Sequence, residues 1–186
     1  GCAMFTEPPQ AAALAAAPPP GLAPRIELRE VPFFPQTDHH CGPAALATVL
    51  VHAGLAATPE QLADAVFLPS REGALQTEML AAARRFGAVA VPLPPQLVAL
   101  LSEVAAGHAV IVLQNLGLSF APRWHYAVVV GYDLAAREVV MRSGTTEREP
   151  MGFVLFQRTW ARSGHWAFPA LPPGQLPVTA READAL

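Results

Sequence analysis

Cys41 and His125 are the two residues whose chemistry and surroundings set them apart. Cys41 stands in QTDHHCGPAALATVLVHAG, directly before an apolar run in which Pro43 suits a helix's first turn and Gly54 its end. A thiol attacks as the thiolate, and its free pKa of about 8.5 is lowered at a helix N-terminus, where unpaired N–H groups and the dipole favour negative charge. Gly42 leaves room beside the sulfur for a substrate backbone, and the apolar helix beyond anchors the thiol. His125 opens the apolar strand WHYAVVVGYD. A cysteine at a helix start and a histidine at a strand start supply nucleophile and base from the two sides of a cleft. A small buried cysteine and a structural histidine would explain each residue alone, but not the pair. Trp124, beside His125, would wall the cleft or simply join the core.

Other ligand-type residues point elsewhere. His39 and His40 adjoin Cys41, yet consecutive residues splay apart and no CxxC or HxxxH spacing accompanies them, so neither a metal nor any other cofactor is expected. His52, His108 and His165 lie in apolar settings and read as satisfied structural groups.

The elements that must position this pair follow from the pattern. RIELREVPFFPQ, from residue 25, alternates apolar and charged residues as an entry strand does. The helix after Cys41 is apolar on nearly all faces and must be buried. Thr58-Pro59-Glu60-Gln61 has the form of a capping box, and residues 77–86 ahead of Gly87 make a further helix. Strands are expected at AVAVPL, HAVIVLQ, WHYAVVVGYD, REVVMRSG and HWAFPAL, with a helix over 95–106 between the first two. The third and fourth form an antiparallel hairpin around 134–136. Helices first and an antiparallel sheet afterwards define an α+β fold with a cleft between the halves.

A chain of 186 residues, 52% apolar, makes one catalytic domain, expected over 25–171. Net charge of −3, with all twelve positive residues arginines and scattered, argues against nucleic acid as a partner. No apolar run reaches the roughly 20 residues that span a bilayer. Residues 1–24 read as a Pro/Ala-rich tether and 172–186 as a linker or tail. The opening Gly1-Cys2 ahead of that tether resembles the end of a bacterial lipobox. That implies a lipid on Cys2 as the sole membrane attachment, in a periplasm-facing lipoprotein of the outer membrane.

Gln36, then four residues, then Cys41-Gly42-Pro43-Ala44, and His125-Tyr126 opening a strand that ends Gly131-Tyr132-Asp133, resemble the papain-like bacteriocin-processing, double-glycine leader peptidases. The likeness covers about residues 31–145. The Gly-Cys start, the spacer and PPGQLP are closer still to a stand-alone branch of bacterial lipoprotein peptidases. The resemblance implies a papain-like fold with a helical half against an antiparallel sheet half. It implies a cysteine endopeptidase acting on a peptide or protein, after small residues such as Gly-Gly in an unstructured segment. It makes Cys41 the nucleophile, His125 the base and Gln36 an oxyanion donor. Independently, the Gln36 amide, five residues ahead, can fold back beside the Cys41 N–H to hold an oxyanion.

The family's third member, an Asp followed by Pro, is absent; Ser143-Gly144 stands in its place. Asp133 is no substitute, because eight residues at about 3.3 Å each put it more than about 20 Å along the same strand from His125. It reads as a turn residue. Ser143, on the paired strand, can accept a hydrogen bond from the imidazole, though a hydroxyl stabilises imidazolium less than a carboxylate does. The missing carboxylate keeps two alternatives open, a degenerate module that binds leader-like peptides without cutting and an acyl or peptidyl transferase on the same fold.

Overall fold

Among the described residues, strands rich in Val and Ala collect into a seven-stranded antiparallel sheet whose central strands are buried on both faces, and a separate pair of two-residue strands forms a second, small sheet. The computed structural model describes residues 6–35, 40–68 and 73–183. In chain order the elements are α1 (Pro9–Ala16), β1 (Arg25–Glu27), α2 (Cys41–His52), α3 (Pro59–Val66), β2 (Phe67–Leu68), β3 (Gly73–Ala74) and α4 (Gln76–Arg85). There follow β4 (Val89–Ala90), α5 (Leu97–Ala105), β5 (Val110–Asn115), β6 (Trp124–Asp133), β7 (Glu138–Ser143), β8 (Thr146–Gly152), α6 (Phe153–Ala161), β9 (Ala167–Leu171) and α7 (Val178–Ala183). The sheet order is β4-β9-β5-β6-β7-β8, and β1 pairs with the far half of β6. Gly131 permits that pairing, since a Cβ there would stand 2.6 Å from the Ile26 carbonyl oxygen.

Alternation along β6 sorts its side chains onto two cores. Tyr126, Val128 and Val130 face α2, α3 and α4, where they meet Leu46, Leu50, Leu62 and Met79. Ala127 and Val129 face α1, α5 and α6, with Leu97, Leu100, Phe156 and Trp160. Every residue of β5 is buried, as expected of a strand covered on both sides. Burial of Leu46 and Leu50, each fully covered, contributes about 1.5–3 kcal/mol apiece and makes α2 a rigid mount. The Thr58 capping box forms as the sequence indicates: Gln61 N–H donates to Thr58 Oγ1 at 3.2 Å and Thr58 N–H to Gln61 Oε1 at 3.1 Å.

Three stretches depart from the sequence reading. Within the stretch read as tether, α1 packs down on the domain, with Ala11 and Leu14 buried. Gln10 accepts from Leu97 N–H at the start of α5, and Ala11 N–H donates to Gln157 Oε1 at 2.8 Å. Alanine buries little per residue, but it makes good helix and fits closely against neighbours. Within the tail, α7 docks on α5 through Thr179, whose N–H and hydroxyl both donate to Glu103 Oε1. Finally, β8 and α6 fill residues 146–161, where no element was expected. TEREPMG lacks an apolar alternation because β8 is an edge strand, its residues mostly exposed.

Candidate active site

α2 begins at Cys41, with His40 as N-cap, and no side chain among the described residues caps it. The first-turn N–H groups therefore favour negative charge at the sulfur. Gly42 to Leu50 are buried, whereas Cys41 is half-buried and lies at the margin of the α2-side core, so the thiol is both fixed and reachable. Tyr126, the residue after His125, shares that margin. Burial and the negative charge of the nearby Cys41 push its phenol well above the ordinary tyrosine range.

His125 is the second residue of β6 and is half-buried. Its Nε2 lies 2.7 Å from Ser143 Oγ at the end of β7. The register explains the contact. Val128 pairs with Arg142, so the end of β7 runs beside the start of β6 and brings Ser143 within reach of His125. Ser143 also lines a small recess beside Ala44 and Ala45 in α2's first turns. The N-terminus of α2, the start of β6 and the end of β7 thus meet at one end of the sheet. Ser143 engages Nε2, and the other ring nitrogen, Nδ1, is the one that can exchange a proton with a thiol.

Asp133 is remote from this end, as expected. Its Oδ1 accepts from Ala136 N–H at 3.0 Å in the β6–β7 turn, and Oδ2 lies 3.9 Å from Arg25 Nε. Trp124 remains 50% exposed, so it does not join the core. Gln36, His39 and Cys2 fall outside the described residues. Among the described residues no group of three His, Cys, Asp or Glu could hold a metal ion, and no helix is long and apolar enough to cross a membrane.

The remaining histidines divide. His52 Nε2 meets the Gly107 carbonyl at 2.9 Å and His108 Nδ1 meets Glu103 Oε2 at 2.7 Å, as satisfied structural groups should. His165 does not fit that reading. Its Nε2 is buried without a hydrogen-bond partner among the described residues, and burial lowers its pKa, favouring the neutral ring edge-on to Trp160. Two residues near the site carried no sequence signal that was used. Gln114, directly across β5 from His125, is buried and donates to Thr159 Oγ1 at 2.9 Å. Arg142 is buried beside Ser143. A polar residue inside an otherwise apolar strand pattern is the cue that would have found both.

The fold is papain-like. The sequence profile of the Peptidase_C39 like family matches residues 28–167, and the chain belongs to that family. Among solved structures it is similar to a C39-like peptidase from Bacillus anthracis, with TM-score 0.67 and 19% identity over 81% of this chain and 99% of that one. It is similar also to the peptidase domain of Streptococcus ComA, a bi-functional ABC transporter, with TM-score 0.61 and 20% identity over 77% and 99%. Xylellain, a cysteine protease from Xylella fastidiosa, aligns over 90% of both chains with TM-score 0.57 and 12% identity. At such identities the likeness speaks for the fold. No curated protein matches the sequence.

Proposed function

We propose that the protein hydrolyses peptide bonds through a thioester on Cys41. The observation that carries this reading is the His125 Nε2–Ser143 Oγ bond, made at the end of the sheet where α2 presents Cys41. The imidazole it orients can exchange a proton with the sulfur through Nδ1. The Cys41 thiolate adds to the carbonyl carbon, and the oxyanion is held by the Cys41 N–H and the Gln36 amide. The C–N bond then breaks as His125 passes its proton to the departing amine. Water, losing a proton to His125, attacks the thioester, releases the new carboxylate and restores the thiol.

The substrate proposed is an unstructured segment with small residues, such as Gly-Gly, before the cut. The likeness to a structure described as a double glycine motif protease in complex with the leader peptide supports it, TM-score 0.56 at 20% identity over 76% of this chain and 93% of that one. A lipid on Cys2 and residence in the cell envelope are part of the same proposal; mass spectrometry of the protein from bacterial membranes should find the acyl groups on Cys2, and an unmodified residue there would remove that part.

Timed alkylation with iodoacetamide at pH 6 tests the chemistry. In protein produced without the lipid, Cys41 should react faster than Cys2, and His125→Ala should abolish the difference. Equal reactivity of the two thiols, indifferent to His125, would end the enzyme reading. Cleavage of Gly-Gly peptides, followed by mass spectrometry, separates hydrolysis from binding alone and from transfer to an added amine.

A further inference from the structure

Arg142 is 8% exposed, and its hydrogen bonds run to backbone carbonyls. Nε and Nη2 donate to the Val31 oxygen at 3.3 and 3.1 Å, Nη2 also reaches the Arg29 oxygen at 3.5 Å, and Nη1 donates to the Glu147 oxygen at 2.8 Å. A buried guanidinium facing carbonyls is expensive unless its fixed fork is used to hold geometry.

The register shows what is held. Met141 pairs with Glu149 but Ser143 pairs with Thr146, so the single residue Arg142 faces two, Glu147 and Arg148. This is a β-bulge, a device that bends a strand and re-aims the neighbouring side chain. The Nη1 bond ends on the bulged residue itself, and the side chain next to the bulge is Ser143, the partner of His125. At its other end the guanidinium grips the segment after β1, from which Phe33 and Phe34 descend to face Ala44 and Thr48 of α2 across the recess that Ser143 borders.

We infer that Arg142 is a positioning residue for the reaction: it locks the β7–β8 bulge against the segment after β1 and thereby aims Ser143 at His125 Nε2. The inference rests on the peptidase reading for its effect on rate, but the aim itself is measurable without turnover. Lysine keeps the charge and loses the fork, so its three donors on one nitrogen cannot span the Val31 and Glu147 carbonyls that different nitrogens of the guanidinium hold.

The experiment compares wild type, Arg142→Lys, Arg142→Gln and Ser143→Ala, all full-length and checked for folding by thermal unfolding. Two readouts are taken, kcat and KM on a Gly-Gly peptide and the His125 ring nitrogens by long-range 1H–15N NMR across pH. The expected result is a loss of about tenfold in kcat for Arg142→Gln with KM nearly unchanged, His125 signals moved to those of Ser143→Ala, and no further loss when the two changes are combined. Arg142→Lys should fall between, and it decides the matter if the Gln variant does not fold. Wild-type kcat and wild-type His125 signals in a folded variant, or losses that multiply with Ser143→Ala, would overturn the proposal. If wild type cuts no peptide, the peptidase reading fails, while the His125 signals still show whether Arg142 aims Ser143.

Discussion

Two histidines in this protein have opposite settings. His108, between α5 and β5, meets the fully buried carboxylate of Glu103, which also accepts both Thr179 bonds and so ties α7 to the domain. His125, at the mouth of the sheet, meets a neutral hydroxyl. The carboxylate–imidazole pair familiar from catalytic triads is thus present in a structural role, while the histidine proposed for catalysis meets the hydroxyl of Ser143. A carboxylate enclosed with several donors is held in one state and cements a fold. A hydroxyl fixes the ring's direction and leaves its charge to the thiolate.

The largest effect that would break this contrast is on rate. His125→Ala should lower kcat/KM by about 10^3-fold, as removal of a general acid–base does, whereas His108→Ala should leave kcat/KM as it was and lower the melting temperature. Peptide hydrolysis and calorimetry on both variants check it; equal losses of activity would erase the distinction.

Next in size is Glu103→Ala, which strands its buried partners and should cost roughly 3 kcal/mol of stability by denaturant titration. Its pH dependence has a definite sign. Burial opposes ionisation of Glu103, but the bonds from His108 and Thr179 outweigh it and hold the carboxyl below its ordinary value. The carboxylate therefore stabilises the fold fully above the unfolded value of about 4.3 and stops doing so as pH falls through the lower folded value. Glu103→Gln should lose less stability than wild type over that acid range.

Ser143 sharpens the other side. Ser143→Ala should cost about five- to tenfold in kcat, the worth of one neutral hydrogen bond, and Ser143→Asp should keep or raise activity by restoring a charged partner. A folded Asp variant with severe loss would place the orienting group elsewhere.

The smallest effect is spectroscopic. The chain has two tyrosines, and burial raises both, Tyr126 additionally through Cys41. Absorbance at 295 nm should show little phenolate at pH 10 in the native protein and about half ionisation once unfolded. Because the neutral forms are favoured in the fold, this contribution is full below pH 10 and fades as pH rises above it. Native phenolate at pH 10 would contradict the enclosure of Tyr126 beside the thiol.

Much of the site was legible because it is written in local signals. A cysteine before a uniformly apolar helix with Pro43 in its first turn announces a buried mount, and α2 is one. The Val-rich apolar runs gave β5, β6, β7 and β9 within a few residues, and the turn role of Asp133 followed from its distance along the strand from His125. Less legible were segments whose role depends on what they touch. The alanines of α1 are as compatible with a solvated tether as with a docked helix, until Gln10 and Gln157 supply their partners. Edge strand β8 carries Thr, Glu, Arg and Pro because one of its sides needs no pairing.

The sequence by itself determined the α+β class, the buried helix behind Cys41 and the strand behind His125, because helix and strand periods, caps and turn residues act over a few positions. Only the tertiary structure decided that Ser143 is the group on His125 Nε2, that Arg142 locks the bulge beside it, and that the buried carboxylate Glu103 serves His108. The first two depend on strand register and on a bulge, and a shift of one residue in register would have turned them to the other face, whereas Glu103 and His108 meet only because the chain turns back at the end of α5.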